Sequence, residues 1–174
     1  MLLIWLLLLT NVLGAAEMTE NTNPIIVMEL ESGQVVIRTR PDLAPKHVDR
    51  IVELVNDKFY DGLTFHRVID GFMAQGGDPV GNGTGGSGQK IEAEFSDTKH
   101  VRGTVSMARS QDPNSADSQF FICFEESPWL NGQYTVWGEV IDGMEYVDLL
   151  KRGHHQTGEV NQPDKIIKAY IQTQ

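Results

Sequence analysis

The chain has 174 residues, enough for one domain with a substantial core and too few for two. Apolar residues make up 40% and charged residues 22%, a soluble balance that excludes wholesale disorder. Asp and Glu number 24 against 14 Lys and Arg, and a net charge of −10 with no local basic run excludes nucleic acid as an expected partner.

Met1 to Leu9 is almost wholly apolar, and Gly14, Ala15 and Ala16 supply the small residues of a signal-peptidase site before Glu17. The apolar run is shorter than the ~20 residues a membrane span requires. Residues 1–16 are therefore read as a secretory signal, 17–24 as a polar lead and 25–174 as one domain. No Lys or Arg precedes the apolar run, which leaves an uncleaved anchor as the other reading. Residues 1–16 carry no charged side chain, so the exported chain keeps the whole −10.

Ile25 to Arg40 reads as a hairpin: Ile26, Met28 and Leu30 share one face, Ser32 and Gly33 turn, and Val35 and Ile37 return. A helix follows from Pro45, with Val48, Ile51, Val52 and Val55 forming an apolar stripe at helical spacing. Phe65–Ile69, Met73–Gln75, Ile91–Phe95, Val105–Ala108, Phe120–Phe124 and Val136–Val140 are short apolar runs between turn residues, and each is expected to be a strand. A second helix is expected from about Gly143 to Arg152, opened by a variant capping box of Asp142 and Glu145 and closed at Gly153. Ile166 to Ile171 is the closing strand. This order predicts a mainly β fold, a closed sheet with a helix over each end.

A single cysteine, Cys123, excludes an internal disulfide and any Cys-based zinc site, and its apolar run marks it as an inert core residue. Gly81 to Gly88 contains G-x-G-x-x-G twice, but a strand rather than a helix is expected to follow. The stretch is therefore read as a surface loop needing positive φ, not as a nucleotide site. His154 and His155 are adjacent without a third ligand nearby and read as a solvated loop. Asn82-Gly83-Thr84 matches the glycosylation pattern, a frequent chance match, and Ser87, Ser106 and Ser118 lack a nucleophile context. No metal and no cofactor is expected.

The segment Phe65 to Asp78 is the unusual one. Arg67 and Gln75 lie eight apart, an even spacing that puts both on one sheet face if no bulge intervenes, and Phe72 and Met73 follow a turn at Asp70-Gly71. Two readings stand: a groove for a carbonyl-bearing, apolar ligand, or a strand pair with one surface arginine. Pattern alone favours the second.

That segment closely resembles the signature of the cyclophilins. So, in order and spacing, do Asn82-Gly83-Thr84-Gly85-Gly86, Ser106-Met107-Ala108, Ser118 to Cys123, Trp129-Leu130-Asn131-Gly132 and Val136 to Val140 with Gly143-Met144. The similarity runs from about Ile25 to Ile171. It implies a closed eight-stranded antiparallel barrel capped by two α-helices, acting as a peptidyl-prolyl cis/trans isomerase on proline-containing polypeptides.

Carried over by position, the resemblance makes Arg67 the catalytic arginine and gives Gln75 the substrate carbonyl. Phe72, Met73, Phe121 and Leu130 form the proline pocket; Ala108, Arg109, Ser110 and Gln119 line the neighbouring groove, bordered by Trp129. Tyr134 stands where many eukaryotic members have histidine, and Arg109 where asparagine is common, so substrate preference is affected more than the reaction. Trp129 matches the cyclosporin-binding tryptophan, so cyclosporin is an expected ligand. The expected state is a periplasmic monomer, with secretion beyond the cell as the alternative location. A proline-peptide binding module or holdase is the competing function.

Overall fold

The computed structural model describes residues 23–172. The signal reading of residues 1–16 and most of the polar lead lie outside the described residues. Eight strands alternate with two short helices: β1 (Ile25–Leu30), β2 (Gly33–Thr39), α1 (Pro45–Asn56), β3 (Arg67–Ile69), β4 (Met73–Gly76), β5 (Thr104–Met107), β6 (Phe120–Cys123), β7 (Val136–Asp142), α2 (Met144–Asp148) and β8 (Ile166–Ile171). A 3₁₀ turn at Pro128–Leu130 precedes β7.

The strands form one curled antiparallel sheet in the order β3-β4-β6-β5-β7-β2-β1-β8. The closed barrel expected above is corrected: β3 and β8 are edges with no ladder between them. Their seam is stitched by loop backbone, with Gly62 N donating to Ile166 O at 2.7 Å, Phe65 N to Asp164 O at 3.0 Å and Ile166 N to Leu63 O at 2.8 Å. Turns and bends on either side keep these bonds from continuing as a regular ladder.

The edge strand β3 is nevertheless covered. Val68 N donates to Gly158 O, Gly153 N to Val68 O and Val160 N to His66 O, so the 153–160 loop occupies the ladder positions facing away from β4. His154 and His155 are exposed on this loop as expected.

Two further expectations are corrected. Ile91–Phe95 is not a strand, since only Ile91 pairs, with Ala116. Side chains take two of its other amides: Ala93 N donates to Asn114 Oδ1 and Glu94 N to Thr135 Oγ1, both at 3.0 Å. Glu94 in turn caps α1, whose own residue before the first turn, Ala44, offers no side-chain acceptor. Its carboxylate accepts from Lys46 N at 3.1 Å and His47 N at 3.0 Å, two amides that would otherwise lack partners.

The second helix is only five residues long and has no capping box. It starts from Gly143 at φ +81°, where an added Cβ would sit 2.0 Å from Gln34 O, so Gly143 rather than Asp142 fixes the start. Lys151 and Arg152 fall beyond its end, yet Arg152 still donates to the carbonyls of Asp148 and Leu150.

The core follows the period-2 pleat. On β6, Phe120 and Ile122 enter the main cluster with Ile26, Ile37, Val105 and Trp137, while Phe121 and Cys123 enter a smaller one. The smaller cluster, with Met73 and Leu130, covers the opposite face of the sheet. Burial on both faces explains why Phe120–Cys123 is an unbroken apolar run.

Candidate active site

The smaller cluster marks the site. Arg67 on β3 stands opposite Gln75 on β4, Gln75 opposite Phe121 on β6, and Phe121 opposite Ser106 on β5. Directly opposed residues point to the same face, so the row Arg67–Gln75–Phe121 is a consequence of register. Arg67 and Gln75 are eight apart in sequence because a turn at Asp70–Phe72 folds one strand onto the other. They face each other across a hairpin rather than along one strand.

Arg67 is held from two sides: Nε donates to Thr157 O and Nη1 to Gln75 Oε1, both at 3.1 Å. Neither partner is charged, and Nη2 has no partner among the described residues, so the guanidinium keeps charge and donors for a ligand. Gln75 Nε2 donates to Gln119 Oε1 at 2.9 Å, and Gln119 Nε2 to the carbonyls of Gly83 and Gly85 at 3.0 and 2.8 Å. This relay fixes the orientation of each amide, since every oxygen and nitrogen in it has one compatible role.

Beside the arginine lies a cavity of about 110 Å³. Phe72, Met73, Phe121 and Leu130 supply its apolar walls, and Ala108, Arg109 and Tyr134 its rim. A larger groove of about 340 Å³ shares Gln75, Ala108 and Arg109 with it and adds Ser110, Gln119, Lys90 and the glycines at 83, 85 and 86. All the residues expected at the site are brought to these two cavities except Trp129, which borders them. Trp129 is 59% exposed and packs on Phe72, with ring centroids 5.5 Å apart.

Arg109 and Tyr134, the two departures from the common pattern, act together. The Arg109 guanidinium lies 4.6 Å over the Tyr134 ring and donates through Nε and Nη2 to Gln133 O. That cation–π contact fixes a positive charge at the wall between the cavities.

The glycine loop is built around buried Asp78, whose carboxylate accepts from Val80, Asn82 and Gly83 N–H. Burial pushes its pKa up, but the backbone donors together outweigh burial and hold it below the usual carboxylate value. At Gly86 an added Cβ would meet Asp117 at 2.6 Å, so bare backbone forms the groove floor there. Burial pushes the Cys123 thiol up to about 12, which agrees with an inert core residue.

Sequence reasoning missed Thr157, Lys90 and Asp78. The carbonyl of Thr157 and Lys90 of the larger groove come from loops outside the signature segment and leave no local signal. Asp78 was legible as a carboxylate just before a glycine run, a pattern suited to collecting backbone N–H groups.

The small cavity has no serine, cysteine, histidine or carboxylate in its lining, and no cluster of three or more metal-ligating side chains occurs among the described residues. The fold thus sets one arginine and one amide beside a small apolar cavity, a site chemically able to hold a carbonyl-bearing ligand.

Comparison with known proteins agrees. The family model described as cyclophilin type peptidyl-prolyl cis-trans isomerase/CLD matches residues 25–171. A Brucella abortus protein named "probable peptidyl-prolyl cis-trans isomerase" is 51% identical over 175 residues, covering 92% of this chain and 89% of the relative. A peptidyl-prolyl cis-trans isomerase of Synechococcus elongatus is 46% identical over 129 residues, covering 73% and 88%. Among solved structures, a Cryptosporidium parvum cyclophilin type isomerase, crystallised in the presence of the dipeptide Ala-Pro, matches with a TM-score of 0.79 at 30% identity, covering 86% of this chain and 99% of that one. A cyclophilin from Hirschia baltica matches at 0.77 and 27% identity, covering 87% and 74%. This chain belongs to the cyclophilin type peptidyl-prolyl cis-trans isomerase family.

Proposed function

We propose that this protein accelerates cis/trans exchange of Xaa-Pro bonds in newly exported polypeptides, working in the periplasm as a monomer without metal or cofactor. The observation that carries the reading is the Arg67–Gln75 pair beside an apolar cavity with no nucleophile. Family membership and the Ala-Pro dipeptide of the Cryptosporidium relative support proline-containing substrates.

The chemistry follows from the bond. Amide resonance sets a rotation barrier of ~18–20 kcal/mol, while the two Xaa-Pro isomers differ by only about 0.5–1 kcal/mol. Acceleration therefore requires tighter binding of the twisted amide than of either planar form. Twisting leaves a lone pair on the prolyl nitrogen and a less polar carbonyl. A free Arg67 donor faces that nitrogen, and another holds the carbonyl on the C-terminal side of the proline. Gln75 orients the peptide, and Phe72, Met73, Phe121 and Leu130 clamp the ring away from water, which favours the less dipolar state.

Exposed Trp129 on Phe72 offers an apolar ledge for cyclosporin. Titration should quench or shift Trp129 fluorescence, and absence of binding at high micromolar drug would refute this ligand.

The experiment is exchange of a short Xaa-Pro-Phe peptide near 10 °C, where the uncatalysed reaction takes minutes. The chain from Glu17 onward should accelerate it and its Arg67→Ala variant should not. Slow exchange by both folded proteins would move the binding-module reading into first place.

A further inference from the structure

The small cavity is walled by segments from separate parts of the chain: Phe121 on β6, Leu130 in the 3₁₀ turn and Tyr134 beyond it. One buried side chain ties the first two together. His100 is fully buried, with its ring stacked on Phe121, centroids 6.0 Å apart and planes 17° apart. Its Nδ1 lies 3.2 Å from Asn131 Oδ1, next to Leu130, and its Nε2 lies 3.1 Å from Ser106 Oγ. Ser106 Oγ also reaches Thr135 O, next to Tyr134, at 2.8 Å.

The proton on the ring can be assigned. Asn131 Oδ1 is fixed as an oxygen because it also accepts the His100 backbone N–H at 2.8 Å. It can only accept, so Nδ1 carries the hydrogen and Nε2 is left to accept from the Ser106 hydroxyl. The Ser106 hydroxyl has one hydrogen, so in that arrangement it no longer donates to Thr135 O, which keeps the N–H of Met107 at 2.9 Å. Burial lowers the His100 pKa, opposed only by Asn131, and this favours the same neutral form.

A phenylalanine here would give the same stack and the same buried area. What imidazole adds is a hydrogen bond at each end: Nδ1 to Asn131, beside Leu130, and Nε2 to Ser106, which stands opposite Phe121 in the sheet. Phe121 thus stacks on the His100 face and also makes a T-shaped contact with Tyr134, whose ring lies 5.7 Å away at 82°.

We propose that His100 is a positioning residue for the cavity, setting the separation of Phe121 from the Leu130–Asn131 segment that a prolyl ring requires. The proposal rests on the isomerase reading above.

The test compares kcat and KM for the Xaa-Pro-Phe peptide in three variants. His100→Phe keeps the stack and loses both bonds. Asn131→Ala removes, from a half-buried residue outside the ring, the acceptor shared by Nδ1 and the His100 backbone N–H. His100→Gln can donate to Asn131 and accept from Ser106. In the first two, KM should rise about three- to tenfold, the equivalent of one net hydrogen bond, with kcat within about twofold. His100→Gln should restore KM. The His100 ring resonances should also shift when peptide is added to the wild type.

Unchanged KM in folded His100→Phe, or a His100→Gln protein as impaired as His100→Phe, would overturn the proposal. If His100→Phe does not fold, Asn131→Ala decides by the same criterion. A wild type with no exchange activity would refute the isomerase reading instead. The ring shift on peptide addition then decides the positioning role, and its absence would overturn that too.

Discussion

Replacing Arg67 by lysine keeps the charge and removes the fork. Arg67 uses Nε for Thr157 O and Nη1 for Gln75 Oε1, and these bonds leave Nη2 without a partner among the described residues. A lysine has one nitrogen on a flexible stem, so it cannot be anchored at both points and still serve the twisting amide. The loss is one charge-assisted hydrogen bond made in the twisted state, about 1.5–3 kcal/mol, or roughly a 10- to 150-fold fall in kcat/KM. Arg67→Ala also removes the charge and should lose about 10²–10³, the scale of a transition-state donor. Because Arg67 is half-buried and makes no ion pair, both variants should stay within about 1 kcal/mol of wild-type stability. Exchange spectroscopy on the Xaa-Pro-Phe peptide near 10 °C measures the rates, and near-ultraviolet circular dichroism checks the fold. Arg67→Lys within threefold of wild type would refute the bidentate role and reduce Arg67 to a point charge.

Three further outcomes are expected. Gly143→Ala should destabilise by about 2–3 kcal/mol, because φ +81° and the contact with Gln34 O both oppose a side chain; an unchanged urea midpoint would show that the backbone relaxes there. Burial pushes the pKa of His47, His66 and His100 below the ordinary 6.5, so below about pH 6.5 the unfolded chain binds more protons than the native one. Stability should therefore fall with falling pH, by about 1.4 kcal/mol per unit for each histidine still neutral in the fold, and a flat series of urea midpoints from pH 7.5 to 5.5 would contradict this. Cys123, fully buried with its thiol pushed up to about 12, should resist thiol reagents at pH 8 until denaturant is added; rapid labelling of native protein would place it elsewhere.

The sequence carried the strands whose apolar pattern is local. β6 was legible because Phe120 to Cys123 is buried on both faces, and α1 because Val48, Ile51 and Val55 recur at helical spacing. Ile91–Phe95 has the same alternating look, yet its amides go to Asn114 and Thr135, partners no local pattern could announce. The second helix was drawn too long because Asp142 and Glu145 imitate a capping box, whereas the left-handed backbone of Gly143 decides where it starts. Of the site, the side chains on β3, β4 and β6 were readable as a signature. What holds Arg67 and Phe121 in place was not, since Thr157 O and the His100 ring arrive from the far side of the chain.

The loop that covers β3 has a consequence for which polypeptides the protein can serve. With the backbone of Val68 already paired to Gly153 and Gly158, an incoming chain cannot extend the sheet at β3, the edge strand that carries Arg67. Under the proposed function a bound peptide is thus read on the face of the sheet, at one ring and the carbonyls around it, rather than by a zipper of main-chain bonds along β3. Recognition of that kind ignores register. Under the proposed function, this leaves the protein free to visit any accessible proline in an unfolded chain and to let go once the bond has turned.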